Sequence, residues 1–126
     1  MTPDAIAARL PAADVLSAEC PSRDVLNRMT SRWGVLVLLV LCGGTHRFAQ
    51  LRRRIGGVSE RMLAQTLQQL EGVGLINRHA FDVVPPHVEY SLTPLGEQAA
   101  TRIASLTTWI EANLPDLRPA QPESEE

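Results

Sequence analysis

The 126-residue chain contains no lysine; all twelve of its basic residues are arginine. Beside the abundant alanine, that absence reads as base composition as much as selection, and no function follows from it alone. Cysteine is scarce too, with two residues, too few for a disulfide framework. Aromatic residues supply only 4%, which leaves a core built mainly from Leu, Val, Ile and Ala. The apolar run "VLVLLVL" at 35–41 falls far short of the roughly 20 residues needed to cross a bilayer. A basic flank followed by an apolar signal core is missing from the N-terminus, so a cytoplasmic protein with reduced thiols is expected. His46, His79 and His87 share no ligand-like spacing with either cysteine, which argues against a metal site. No phosphate-binding loop appears, and no acid or histidine stands as a recognisable companion to a cysteine nucleophile. An enzyme is therefore not expected, nor a cofactor.

What is present fits one domain with a single modest core. The net charge of −2 would argue against a nucleic-acid partner if it were evenly spread. It is not. Between Thr45 and His79 stand six arginines (Arg47, Arg52, Arg53, Arg54, Arg61 and Arg78) against Glu60 and Glu71, while Glu123, Glu125 and Glu126 concentrate acid in the tail. A phosphate backbone responds to the local field, so a basic middle in an acidic chain is compatible with polyanion binding, as it is with a solvated arginine-rich face.

Cap residues and periodicity divide the chain. Thr2 and Pro3 predict a short helix over 3–10, ended by Pro11. A second helix is expected over 22–29, and Thr30 as a cap opens a third over 31–42, stopped by Gly43 and Gly44. The centre of that third helix is apolar on every side, which requires enclosure by the other elements, although the pattern alone equally allows a buried strand. Phe48, Leu51 and Ile55 predict an amphipathic helix over 47–55. After a Gly-Gly turn, Ser59 caps a helix over 60–71 with Leu63, Leu67 and Leu70 inward and Glu60, Arg61, Ala64, Gln65 and Gln68 outward. Extended segments at 75–82 and 88–92 flank "VVPPH", a hairpin with a stiff tip. Thr93 and Pro94 start a last helix with an apolar stripe, Leu95, Ala99, Ile103, Leu106, Ile110 and Leu114, longer than so small a domain can cover; it calls for a partner.

This order predicts a mainly α fold with a small β-hairpin wing: a dimeric winged helix-turn-helix. In such a fold the polar helix enters the major groove of double-stranded DNA, where short polar side chains of its first turns reach base edges and arginines of the preceding helix and hairpin hold phosphates. The expected DNA-binding set is Arg47, Arg52, Arg53, Ser59, Glu60, Arg61, Gln65, Gln68, Arg78 and His87, with His46 and His79 approaching phosphate or water. The alternatives are a winged-helix interaction module that does not bind DNA and a thiol enzyme built on Cys20. Cys42, among apolar residues, is expected to be inert and structural. Trp33 is expected to pack in the core.

The blocks "CPSRDVLNRMTSRWGVLVLLVL", "HRFAQLRRRIGGVSERMLAQTLQQLEGVGLINRHAF" and "VPPHVEYSLTPLGEQA" resemble the HxlR-type transcriptional regulators, a winged-helix family of the MarR-like group, from about Cys20 to Trp109. The most specific pieces are Arg47 to Leu51, the start at Ser59, and Pro85 to Gly96. The resemblance implies a helix over 31–42 and a homodimer on a palindromic operator, with the hairpin as a wing on the neighbouring backbone. Leu95, Ile103, Leu106, Trp109 and Ile110 are the expected seam. It also implies that Cys20, next to Pro21, is a candidate sensor, because in several members a cysteine before a proline near the N-terminus senses quinones, aldehydes or hypochlorite. A small-molecule or oxidant effector is the corresponding partner. A helix N-terminus and nearby Arg23 would favour the thiolate. Arg32 stands where the family usually has lysine, and the arm before Cys20 is longer than most. The expected organisation is an arm over 1–19, the domain over 20–114 with its dimerisation helix, and an acidic disordered tail over 115–126.

Overall fold

Hydroxyl side chains decide where three of the helices begin. Ser31, Ser59 and Thr93 each hold an extended backbone and accept a hydrogen bond from the amide three residues on, those of Gly34, Met62 and Gly96. Each satisfies an amide that the first helical turn leaves without a carbonyl partner. The computed structural model describes residues 14–119. The expected helix at 3–10 and residues 120–126 of the expected tail lie outside that span.

Among the described residues, α1 (Pro21–Met29) and α2 (Arg32–Leu41) are followed by β1 (His46–Arg47), α3 (Phe48–Arg54), α4 (Glu60–Gly72), the hairpin β2 (Ile76–Phe81) and β3 (His87–Leu92), and α5 (Pro94–Ala112). A single 3₁₀ turn, Leu114–Asp116, ends the regular structure. The sheet is antiparallel in the order β1-β3-β2. Three expectations are corrected here. Thr30 is not the cap of α2: it closes α1, its hydroxyl donating to the Leu26 carbonyl, and Ser31 caps α2. The helix expected over 47–55 is Phe48–Arg54: Arg47 pairs instead with Glu89, and His46 before it with Tyr90, making a third strand beside the hairpin. And α2 is not enclosed on every side: Val37 and Leu38 are fully buried, but Leu36 is 37% exposed and Leu39 and Val40 border an open hollow with Arg54, Ile55 and Gly56.

α2 packs between α4 and α5, and the core joins Val37, Leu38 and Leu41 to Leu51, Leu63, Leu67 and Leu70, with Tyr90, Ala99, Ala100 and Ile103 closing it from the sheet and α5. Trp33 packs against this core from its edge, with the Arg32 guanidinium 4.6 Å from its ring centre. The joint between α4 and α5 is tight. Gly74 turns the chain with a positive φ of 85°, the Thr93 hydroxyl donates to its carbonyl at 2.7 Å, and the Thr93 amide donates to the Leu75 carbonyl. Any Cβ at Gly96 would collide with that Leu75 carbonyl, so only glycine admits so close an approach.

Candidate nucleic-acid interface

α3 and α4, joined by the tight turn Ile55–Gly56–Gly57–Val58, both turn apolar residues into the common core, where Leu51, Ile55, Val58 and Leu63 are buried, and leave their outer faces bare. On α4, Leu63, Thr66, Leu67 and Leu70 point inward; Glu60, Arg61, Ala64, Gln65 and Gln68 are exposed, as the helical period requires. Met62 is exposed as well, at 41%, an apolar side chain in the first turn that the sequence reading did not single out. Ser59 reaches the same end of the helix but spends its oxygen on the Met62 amide, which makes it a cap.

Arginines frame this face. Arg52, Arg53 and Arg54 occupy the last turn of α3, all exposed, and Arg52 donates to Glu60 at 3.4 Å, linking α3 to the first residue of α4. Arg47, Arg53, Arg54, Arg61 and Arg78 have no carboxylate within ion-pair distance among the described residues. An exposed guanidinium without a carboxylate is free to fork onto a phosphate or the two acceptors of guanine. Arg78 lies on the inner face of the hairpin, sharing a hollow with Ala64, Gln68, Glu71 and Tyr90, so the wing brings a cation alongside α4. Arg47 is the N-cap of α3, where its amide donates to the Gln50 side-chain oxygen at 2.7 Å.

The outer face of the wing follows from strand alternation. His79, Phe81, His87 and Glu89 share it, with Arg47 opposite Glu89 in the ladder. The His87 imidazole is 3.4 Å from the Glu89 carboxylate. Glu89 went unnoticed in the sequence because its neighbourhood depends on β1; the spacing of His87 and Glu89 at two residues was the signal that could have found it.

Cys20 is the N-cap of α1, half-buried, its sulfur 3.0 Å from the Ser22 hydroxyl. The Ser22 side chain, then the backbone amides of Ser22 and Arg23, hold the thiol below its usual range, against opposing contributions from partial burial and from Asp14. The Arg23 guanidinium takes no part: it donates to the Leu16 carbonyl, tying the arm to α1. Cys42 corrects its expectation. It follows the last turn of α2, one position past buried Leu41, and is exposed, because the chain turns away at Gly43 and leaves nothing to cover it.

The stripe of α5 divides in two. Ala99 and Ile103 are buried in their own chain's core, so Ile103 is not available to a seam with another chain. Leu95, Leu106, Trp109 and Ile110 are 61%, 58%, 54% and 39% exposed, and Leu16, Val25 and Leu26 of the arm and α1 are exposed as well. Among the described residues no group of histidine, cysteine and carboxylate side chains is placed to hold a metal ion, and no helix is long and apolar enough to cross a membrane.

The family model of the HxlR-like helix-turn-helix matches residues 28–118. The chain is 57% identical over 117 residues to the HTH-type transcriptional regulator YtfH of Escherichia coli (strain K12), covering 93% of each chain. The solved structure of the transcriptional regulator ytfH from Salmonella typhimurium is 60% identical and superposes with a TM-score of 0.78, over 82% of this chain and 93% of that one. The redox regulator HypR in its oxidised form is 30% identical with a TM-score of 0.69, over 80% of this chain and all of that one.

Proposed function

Since the chain belongs to the HxlR-like helix-turn-helix family of transcriptional regulators, which are not enzymes, we propose that it acts in the cytoplasm as a homodimer on a palindromic operator. The observation that carries this reading is the exposed polar face of α4 between arginines that have no carboxylate partner. In this reading Arg61 and Gln65 meet base edges in the major groove, Glu60 and Gln68 flank them, and Ser59 holds the helix start. Arg47, Arg52, Arg53, Arg78 and His87 take the backbone. Leu95, Leu106, Trp109 and Ile110 form the seam that holds the two copies of α4 one helical turn of duplex apart, about 34 Å. Selecting genomic fragments with the purified protein tests it: recovered fragments should share an inverted repeat with half-sites about one turn apart. Recovery of no sequence above background overturns the reading.

The acidified thiol at Cys20 supports a second element, oxidant or electrophile sensing. α1 carries that thiol beside the exposed apolar residues of the arm, so an adduct or intersubunit disulfide there would change the spacing of the two recognition helices. Losing one half-site costs more than losing one contact, because the dimer makes the second binding event intramolecular. Treatment with diamide or a quinone should alter operator binding by the wild-type and Cys42→Ser proteins while Cys20→Ser stays indifferent. A wild-type protein that is itself indifferent would leave Cys20 as a packing residue.

A further inference from the structure

All three histidines of the chain lie on the three-stranded sheet, and two of them, His79 and His87, flank Glu89 on its outer face. The rings are in contact: His79 meets the edge of Phe81 at 4.3 Å between centroids, and Phe81 stacks on His87 at 4.5 Å with 27° between planes. Glu89 faces His79 across the ladder, is 3.4 Å from His87 on its own strand, and has Arg47 opposite it on β1. Gln50 of α3 and Thr45 line the same hollow as Arg47 and Glu89. His46, paired with Tyr90 in the ladder, also borders that hollow; Asp82 follows Phe81 at the start of the tip, while Arg78 and Tyr90 belong to the opposite face. The tip itself, from Asp82 to Pro86, has no cation, and its Val84 is 99% exposed.

We infer that the wing is charged by protons: the His79–Phe81–His87 stack around Glu89 makes the grip of this face on the DNA backbone depend on pH. The inference rests on the proposed DNA-binding reading, in which Arg47 and His87 meet phosphate. With both imidazoles neutral, the face carries Arg47 against Glu89 and has no net charge. Imidazole is the side chain whose charge ordinarily changes between about pH 5 and 8. A protonated His87 has the Glu89 carboxylate 3.4 Å away and the face of Phe81 stacked on its ring. Glu89 then has three cations around it and neutralises one, so the face gains up to two positive charges directed at phosphate. Phosphate prefers the protonated form, so the added affinity is present at low pH and is lost as pH rises.

The test measures anisotropy of a labelled mixed-sequence duplex of about 30 base pairs, long enough for two half-sites, titrated with full-length protein at several salt concentrations. Between about pH 8 and about pH 6, wild type should bind about tenfold tighter, and its slope of log affinity against log salt should steepen by up to about two. His79→Gln/His87→Gln, whose folding is checked by circular dichroism, should keep the high-pH affinity and lose most of the change, and His46→Gln alone should keep most of it. The single variant His87→Gln should lose about half of it. Glu89→Gln should bind more tightly at every pH. A wild type that binds equally well across the range overturns the inference and leaves the DNA-binding reading standing; a double variant with undiminished pH dependence overturns it too. Absence of binding at every pH and salt removes both.

Discussion

The middle of the molecule and its two ends are built on opposite terms. From α2 to β3 most apolar side chains complete one another: Leu38, Leu51, Leu63 and Leu70 are fully buried, and Met62 apart, what remains outside on α3 and α4 is mostly polar or cationic. The ends do not close on themselves. α1 buries none of its residues, and the second half of α5 exposes Leu106, Trp109 and Ile110 within two turns. Scattered surface leucines are ordinary, but a cluster of large apolar side chains on one helix marks a surface that association covers. The middle takes its stability from within the chain; the ends are finished by a second copy in the reading proposed above.

Substitutions should separate the two regions. Leu106→Glu, at a residue 58% exposed in the single chain, has little to lose in the fold but would bury a carboxylate without a partner in the seam, a penalty of several kcal/mol per ion. Sedimentation should show monomers with unchanged secondary structure, and a persisting dimer would move the seam elsewhere. Leu63→Ala acts in the reverse sense: it empties a fully buried position and should cost the fold about 2–5 kcal/mol in denaturant titrations. A loss below about 1 kcal/mol would mean the core yields more than close packing allows. Arg61→Ala should leave both stability and assembly alone and weaken operator binding by about 1–3 kcal/mol, with discrimination lost at one base pair, whereas Arg53→Ala should weaken all sequences alike and flatten the salt dependence. Equal effects of the two on operator and random DNA would erase the division between reading and holding on this face.

The legible parts of the fold were those with a local cause. Ser59 and Thr93 with Pro94 announced their helices because a cap acts within four residues, and Leu63, Leu67 and Leu70 showed their face through the helical period. Where two cap-competent residues adjoin, as at Thr30 and Ser31, local chemistry does not choose; the choice fell to the way α1 ends, with the Thr30 amide on the Leu26 carbonyl. β1 was invisible because two residues have no period, and its pairing with β3 depends on the route of the whole chain between them. The same limit hid Glu89. Cys42 was misjudged from its apolar neighbours in sequence, which say nothing about what covers the residue after a helix has ended. Ile103 was assigned to a seam because one stripe was read as one surface; the core takes Ala99 and Ile103 and leaves Leu95 and the residues from Leu106 on.

The clamp of Thr93 on Gly74 and Leu75, with Gly96 pressed against the same carbonyl, has a mechanical consequence. It ties the base of α5 to the two residues that follow α4 through neighbouring carbonyls, so the direction in which α5 leaves the domain is set at the end of α4. A larger residue at position 96 would have to push the Leu75 carbonyl away, and would disturb the angle between the two helices before it touched either exposed surface.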